Sequence, residues 1–340
     1  MFRGEWIDID GRDRSADEAC AGTFEYIDAY AGALAVEFGV TEHLGSYRWY
    51  SPDQYDADLP CGPQYPYPYA CAIDEDYALH TAFIPHEHEM VHLVNFSAGM
   101  CPSVISEGLA EYYGTSASTP SSSDIERLSS RLAAPAEKIS NGDYAIAGRF
   151  AAYLVERHGL EAVLDVCRAS GRDPSADELS DAMTEALGLS TQMVLDDFAD
   201  EFTNGPSICN RADYYQSRVF ACGAAAAAPE AEMIDGEFVR TYEFGCASAT
   251  TVGPFIDTIK IVERIDIDVD AIYAIRLQAE EGVDFSGVEL TIAACGPCEG
   301  AFVYVGDVAD VIQLDAGRYS LELRAPSDFS DSVTVKIMQD

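Results

Sequence analysis

Residues 88–92 read His-Glu-Met-Val-His, and fifteen residues after His92 stands Glu107, in Ser-Glu-Gly-Leu-Ala-Glu-Tyr-Tyr. Nothing else in the chain constrains its folding so narrowly, because both segments must be helical and both must face one point. Positions four apart on a helix share a face, so His88 and His92 can aim imidazole nitrogens at a single ion. Glu89 is rotated by about 100° from His88. It therefore flanks that point, where a base must sit to take a proton from a water activated by the ion. A catalytic zinc site uses three protein ligands and keeps one position open, and Glu107 is the natural third ligand.

The surrounding residues fit two packed helices. Phe83-Ile84-Pro85 leads into the motif, and Met90, Val91, Leu93 and Val94 place apolar groups around a buried helix. Pro102 introduces a second helix with Ile105, Leu109, Tyr112 and Tyr113 on one stripe and Gly114 as its stop. Glu107 and Glu111 lie four apart on another face. Acidic residues on a helix usually form a solvated face; following a His-Glu-x-x-His helix after so short a loop, these two point to a metal site.

His-Glu-x-x-His followed by Glu-Gly-Leu-Ala-Glu-Tyr resembles the gluzincin metallopeptidases, the thermolysin- and aminopeptidase-like group. The resemblance is specific over residues 84–114 and weaker to about residue 203. It implies His88, His92 and Glu107 as Zn2+ ligands, Glu89 as general base, and a peptide or protein substrate. It further implies that Glu111 is hydrogen-bonded to a ligand imidazole, fixing its tautomer and raising its basicity. The strand over 77–84 would then border the cleft and could pair with an extended substrate. The fourteen residues between His92 and Glu107 are fewer than in thermolysin-like enzymes. The Gly-Ala-Met-Glu-Asn exopeptidase motif is absent, and Asn95 stands where the metzincin pattern requires Gly. Tyr144, near the start of a helix over 143–158, is a candidate donor to the developing oxyanion, with core packing as its alternative role.

The composition fits an exported hydrolase. The formal net charge is -39 over 340 residues, and Lys138, Lys260 and Lys336 are the only lysines. Such acidity repels nucleic acid and anionic membranes, and no stretch is long and apolar enough to span a bilayer. Ten dispersed cysteines read as disulfides formed in an oxidising compartment. A secreted, periplasmic or cell-surface monomer is expected. Met1-Phe2-Arg3 runs straight into polar sequence, so the targeting segment is expected to have been removed already.

An α+β protein of two parts is predicted. Residues 1–205 should form a mostly helical, zincin-like catalytic domain with a small sheet. Ser15-x-x-Glu18 is a capping box for a helix carrying Phe24, Ile27, Ala31, Leu34 and Phe38, and strands at 45–50 and 77–84 flank a Pro/Tyr-rich loop. Helices follow at 143–158, 160–169, 176–187 and 190–203. Residues 206–236 read as a cysteine-bearing, Ala-rich linker. From residue 237 to 340 the period is two, as in Tyr273, Ile275 and Leu277 or Val333, Val335 and Ile337, which predicts an antiparallel β-sandwich. Its Leu314–Tyr319 segment resembles accessory β-domains of secreted bacterial peptidases, and it should fold separately with limited contact to the rest.

Other features lend themselves to a functional reading. Cys295-Gly-Pro-Cys298 copies a redox dithiol, but the following residues look like a strand, so a structural disulfide in a sheet turn is expected. Asp266, Asp268 and Asp270 fit a solvated strand face better than a calcium loop. His86 should be a rim residue, and His43, His80 and His158 structural. Two rivals to a peptidase remain: an exported, disulfide-rich binding protein with a non-catalytic zinc site, and a thiol oxidoreductase acting through Cys295 and Cys298.

Overall fold

The computed structural model describes residues 1–62, 70–114, 124–204, 217–223, 225–234, 236–295, 301–306 and 308–339. Through residue 81 the order is β1 (Phe2–Arg3), β2 (Asp8–Asp10), α1 (Thr23–Glu37), β3 (Ser46–Trp49), α2 (Pro52–Asp58), β4 (Ala70–Ile73) and β5 (Ala78–Thr81). The elements described next are helices: α3 (Glu87–Ala98), α4 (Ser103–Gly114), α5 (Asp124–Ala133), α6 (Tyr144–His158), α7 (Leu160–Ser170), α8 (Ala176–Leu187), α9 (Thr191–Asn204) and α10 (Ser217–Cys222). The strands that follow are β6 (Glu230–Ala231), β7 (Glu237–Glu243), β8 (Val252–Phe255), β9 (Thr258–Ile267) and β10 (Ala271–Ala279). The last five are β11 (Glu289–Ala294), β12 (Ala301–Val305), β13 (Val308–Leu314), β14 (Gly317–Pro326) and β15 (Ser332–Gln339). The chain is thus α+β, as predicted.

The predicted stripe of α1 is its buried face: Ile27, Ala31, Leu34 and Phe38 are all at most 1% exposed. Its start is not the predicted one. The Ser15/Glu18 capping box closes a single 3-10 turn, and α1 begins only after Gly22. Between them the backbone turns toward the C-terminal half, where Cys20 N–H donates to Gly253 and Ala21 N–H to Cys246. Those bonds, with the Cys20–Cys246 disulfide, satisfy groups that a continuous helix would have used.

The first sheet has the order β1-β2-β3-β5-β4, with β2, β3 and β5 parallel and β4 antiparallel to β5. The strand leading into α3 is therefore interior. Both of its edges are occupied, so it cannot pair with a substrate as the resemblance implied, and β4 is an edge strand among the described residues. What read as a loop between the two predicted strands holds α2, β4 and the Cys61–Cys71 disulfide.

In the C-terminal part, two sheets pack face to face, β13-β10-β15-β7 and β12-β11-β14-β9-β6, with β8 paired to β9. Tyr273, Ile275, Leu277, Leu321, Leu323, Val333, Val335 and Ile337, all read from the period of two, fill one core between them. Pairing is antiparallel except for β6, which lies parallel to β9. Asp266 and Asp268 lie on or beside the exposed end of β9, and Asp266 pairs with Arg318 rather than lining an ion site.

The two halves are joined by a buried Glu87–Lys260 ion pair, by the Cys20–Cys246 disulfide and by backbone bonds from residues 20–22 to the β8 region, links that the expectation of limited contact did not include. Residues 217–222, read as part of a linker, form α10, whose Val219, Phe220 and Ala221 are buried. Cys222 bonds to Cys295. Cys295 therefore has a partner other than the predicted Cys298, which lies outside the described residues, as does Cys209. With Cys101–Cys167, four disulfides occur among the described residues, which fits an oxidising compartment. No described helix is long and apolar enough to cross a membrane.

Candidate metal centre

The site is built where α3 and α4 lie side by side with almost no spacing. A Cβ on Gly114 would sit 2.5 Å from the Cα of His88, and one on Gly108 would sit 2.5 Å from the Ala147 carbonyl of α6. Only glycine lets α4 fit this closely between its neighbours. Gly114 therefore does more than end a helix, because it brings the Glu107 turn against the two histidines.

His88, His92 and Glu107 converge. One nitrogen or oxygen from each lies within 4.8 Å of the others. Both imidazole Nε2 atoms stand 3.2 Å from Glu107 Oε2. Donors ~2.0–2.1 Å from a tetrahedral centre are ~3.3–3.4 Å apart, so the spacing suits a zinc-sized ion. The outer nitrogens are also engaged. His88 Nδ1 lies 3.2 Å from Glu111 Oε1, and His92 Nδ1 lies 3.1 Å from the Ser106 hydroxyl. Such partners fix which nitrogen faces the ion. The electrostatics favour a cation at the point of convergence. Burial alone would lower the pKa of His88, yet hydrogen bonds to Glu107 and Glu111 raise it to about 10. Burial would raise that of Glu107, but the charge of His92 and bonds to both imidazoles hold it far below the usual carboxylate range.

Glu89 and Tyr144 both face the same cleft. The Tyr144 ring stacks on that of His88, with centroids 5.8 Å apart and planes 22° apart. Burial, then the charges of Glu107, Glu89 and Glu111, push its hydroxyl well above the usual pKa. His86 lines the cleft, its ring 6.5 Å from that of His88. His80 is structural, bonded to the Tyr50 hydroxyl at 2.9 Å.

Sequence reasoning missed three features. Ser106 adjoins Glu107, and its hydroxyl was a readable signal for a bond to the helix opposite. Glu87, just before His88, is buried and takes Lys260 of β9 as its ion partner, while the Tyr26 hydroxyl donates to it at 3.0 Å. Burial would raise the pKa of Glu87; the charge of Lys260, with its hydrogen bond, depresses it instead. Lys260 occupies what looks like the polar phase of an alternating strand, so no sequence signal marked it. The third feature is the cleft itself, about 980 Å³ in volume. One wall comes from the α3–α4 region and Tyr144. The other comes from the sandwich, including Phe255, Lys260, Glu289, Arg324 and Pro326.

No protein-family model and no curated protein matches the chain. Among solved structures, the pre-peptidase C-terminal domain of a collagenase from Bacillus anthracis is similar to 32% of this chain over 95% of its own length, at 9% identity and a TM-score of 0.23. A protein of Sulfurospirillum deleyianum is similar over 30% of this chain and 97% of its own, at 12% identity and a TM-score of 0.21. A structure of carbohydrate-binding modules from the β-sandwich superfamily aligns over 32% and 56%, at 8% identity and a TM-score of 0.17. Likenesses this weak carry no argument about function.

Proposed function

We propose that this chain is an exported zinc peptidase of gluzincin type, with a zincin-like catalytic part and a β-sandwich behind its cleft. The observation that carries the reading is the convergence of His88, His92 and Glu107 on one point, with His88 and Glu89 lining a cleft of about 980 Å³. His88, His92 and Glu107 would hold the ion. Zinc bound there would supply a Lewis acid for the scissile carbonyl and would activate a water nucleophile. Glu89 would take the proton from the attacking water on its carboxylate and return it to the leaving amine. Tyr144, kept protonated by its surroundings, donates a hydrogen bond to the oxygen that becomes negative. Glu111 and Ser106 hold the two imidazoles in the productive tautomer. Four disulfides support export.

The test is elemental analysis of zinc-reconstituted protein, followed by digestion of a broad peptide library with and without chelator. The parent should hold one zinc per chain and cleave peptides in a chelator-sensitive manner. Glu89→Gln should keep the zinc and lose about 10²–10⁴ in rate. Absence of zinc after reconstitution overturns the reading. Zinc without hydrolysis of any peptide favours a binding protein with a non-catalytic site.

A further inference from the structure

The cleft sets against His88 and Glu89 a wall drawn from a part of the chain that the motif says nothing about. An apolar group on that wall is Phe255, the last residue of β8 before the turn into β9. The ring meets Phe83 and His86 edge-on, with centroids 6.1 and 5.6 Å away, and remains 36% exposed toward the cleft. Val252, Pro326 and Pro85 line the same cleft. The turn is held in place. Ile256 next to Phe255 has φ of 55°, a conformation that β-branched residues rarely adopt. Gly253, two residues before Phe255, accepts bonds from the Thr23 hydroxyl at 2.9 Å and from the Cys20 backbone, and donates to Thr23 Oγ1. Phe255 is thus presented by backbone anchored to the catalytic half.

We propose that the β-sandwich forms the second wall of the peptide-binding cleft, and that Phe255 receives an aromatic or large aliphatic side chain of the substrate. This rests on the peptidase reading of the same site. Two successive ring contacts, Phe255 to His86 and His86 to His88, span 5.6 and 6.5 Å. An extended chain rises about 3.4 Å per residue, so the bound side chain lies within about four residues of the scissile bond. An aromatic or aliphatic partner completes an edge-to-face cluster and removes apolar surface from water. Asp257 and Glu289 are also in the cleft, which makes a basic side chain the competing occupant.

The experiment uses the full-length, zinc-loaded protein and a nested series of short peptide hydroxamates, each carrying one Phe in an alanine background, with Lys counterparts. Acetohydroxamate serves as a probe of the metal alone, and binding is measured by calorimetry. One Phe position should bind about tenfold tighter than its Ala and Lys counterparts. Phe255→Ala should abolish that preference while leaving zinc content and acetohydroxamate affinity unchanged, and Phe255→Leu should keep most of it. The proposal is overturned if the parent shows no apolar preference, if it prefers Lys, or if Phe255→Ala retains the preference. Because the readout is binding, a protein that takes zinc and hydroxamates but cleaves nothing sinks the peptidase reading and still decides this one. A protein that takes no zinc sinks both.

Discussion

The two walls of the cleft were assembled in opposite ways. The metal wall comes from a short run of chain, α3 and α4: helical spacing puts His88 and His92 on one face of α3, and the close packing of α4 brings Glu107 to them. The sandwich wall gathers residues between 252 and 326 from separate strands, and no spacing rule connects them to the motif. Local geometry can therefore specify the chemistry of a site, whereas the shape of the space around it depends on long-range contacts. Here those contacts are explicit: a buried ion pair, two disulfides that tie the sandwich to Cys20 and to α10, and strand-like bonds from residues 20–23 to the β8 region.

The strongest way to break the comparison is to remove one wall. A chain ending at residue 229 loses the partners of Cys20, Cys222 and Glu87 and uncovers the apolar face of α10. It should show no cooperative melt by calorimetry, and a well-folded, zinc-loaded fragment would mean that the metal wall stands alone. Next in size is the ion pair. Lys260→Met leaves the Glu87 carboxylate buried and unpaired, which should cost roughly 3–5 kcal/mol in urea unfolding. The double variant Glu87→Gln/Lys260→Met should recover much of that loss. A single variant as stable as the parent would show that the pair does not join the walls.

Within the metal wall, Ser106→Ala or Glu111→Gln removes a partner of a ligand imidazole. Either should weaken zinc affinity by about 10–100-fold, read by competition with a chromophoric chelator. Asp143 offers a pH test next to Tyr144. Burial would raise its pKa, but hydrogen bonds from Ser140 and Arg127 and the charge of Arg131 hold it at about 2. A depressed carboxyl contributes stability in full above the unfolded value, near pH ~4, and loses it as pH falls toward the folded one. Unfolding midpoints should decline over that interval, and Asp143→Asn should flatten the decline. The smallest effect belongs to the sandwich surface. Arg318 and Asp266 pair with side chains 42% and 43% exposed, so Asp266→Asn should change stability by no more than about 1 kcal/mol.

Much of this was legible because it is periodic. The helices from α6 to α9 begin and end close to where their apolar spacing and glycines place them, and the alternating residues of the sandwich fall on strands. The motif named its candidate ligands because a turn of helix has fixed geometry. What escaped reading was aperiodic. The start of α1 was displaced by bonds to residues more than two hundred positions away. Lys260 looked like an outward-facing residue because alternation tells which side of a strand a residue is on, but not what lies against that side. Cys295 had an adjacent cysteine that looked like a partner, yet it bonds to Cys222 of α10.

By itself, then, the sequence determined the α+β character, the bounds of the helices from α6 to α9 and which residues are candidates to hold a metal, since each follows from interactions between residues a few positions apart. Only the tertiary structure decided that β5 is interior and β4 an edge among the described residues, that Gly114 lets α4 press against His88, and that a sandwich residue, Phe255, lines the same cleft as His88. Those outcomes depend on how whole elements pack, and packing is settled by the sum of many weak contacts between distant parts of the chain.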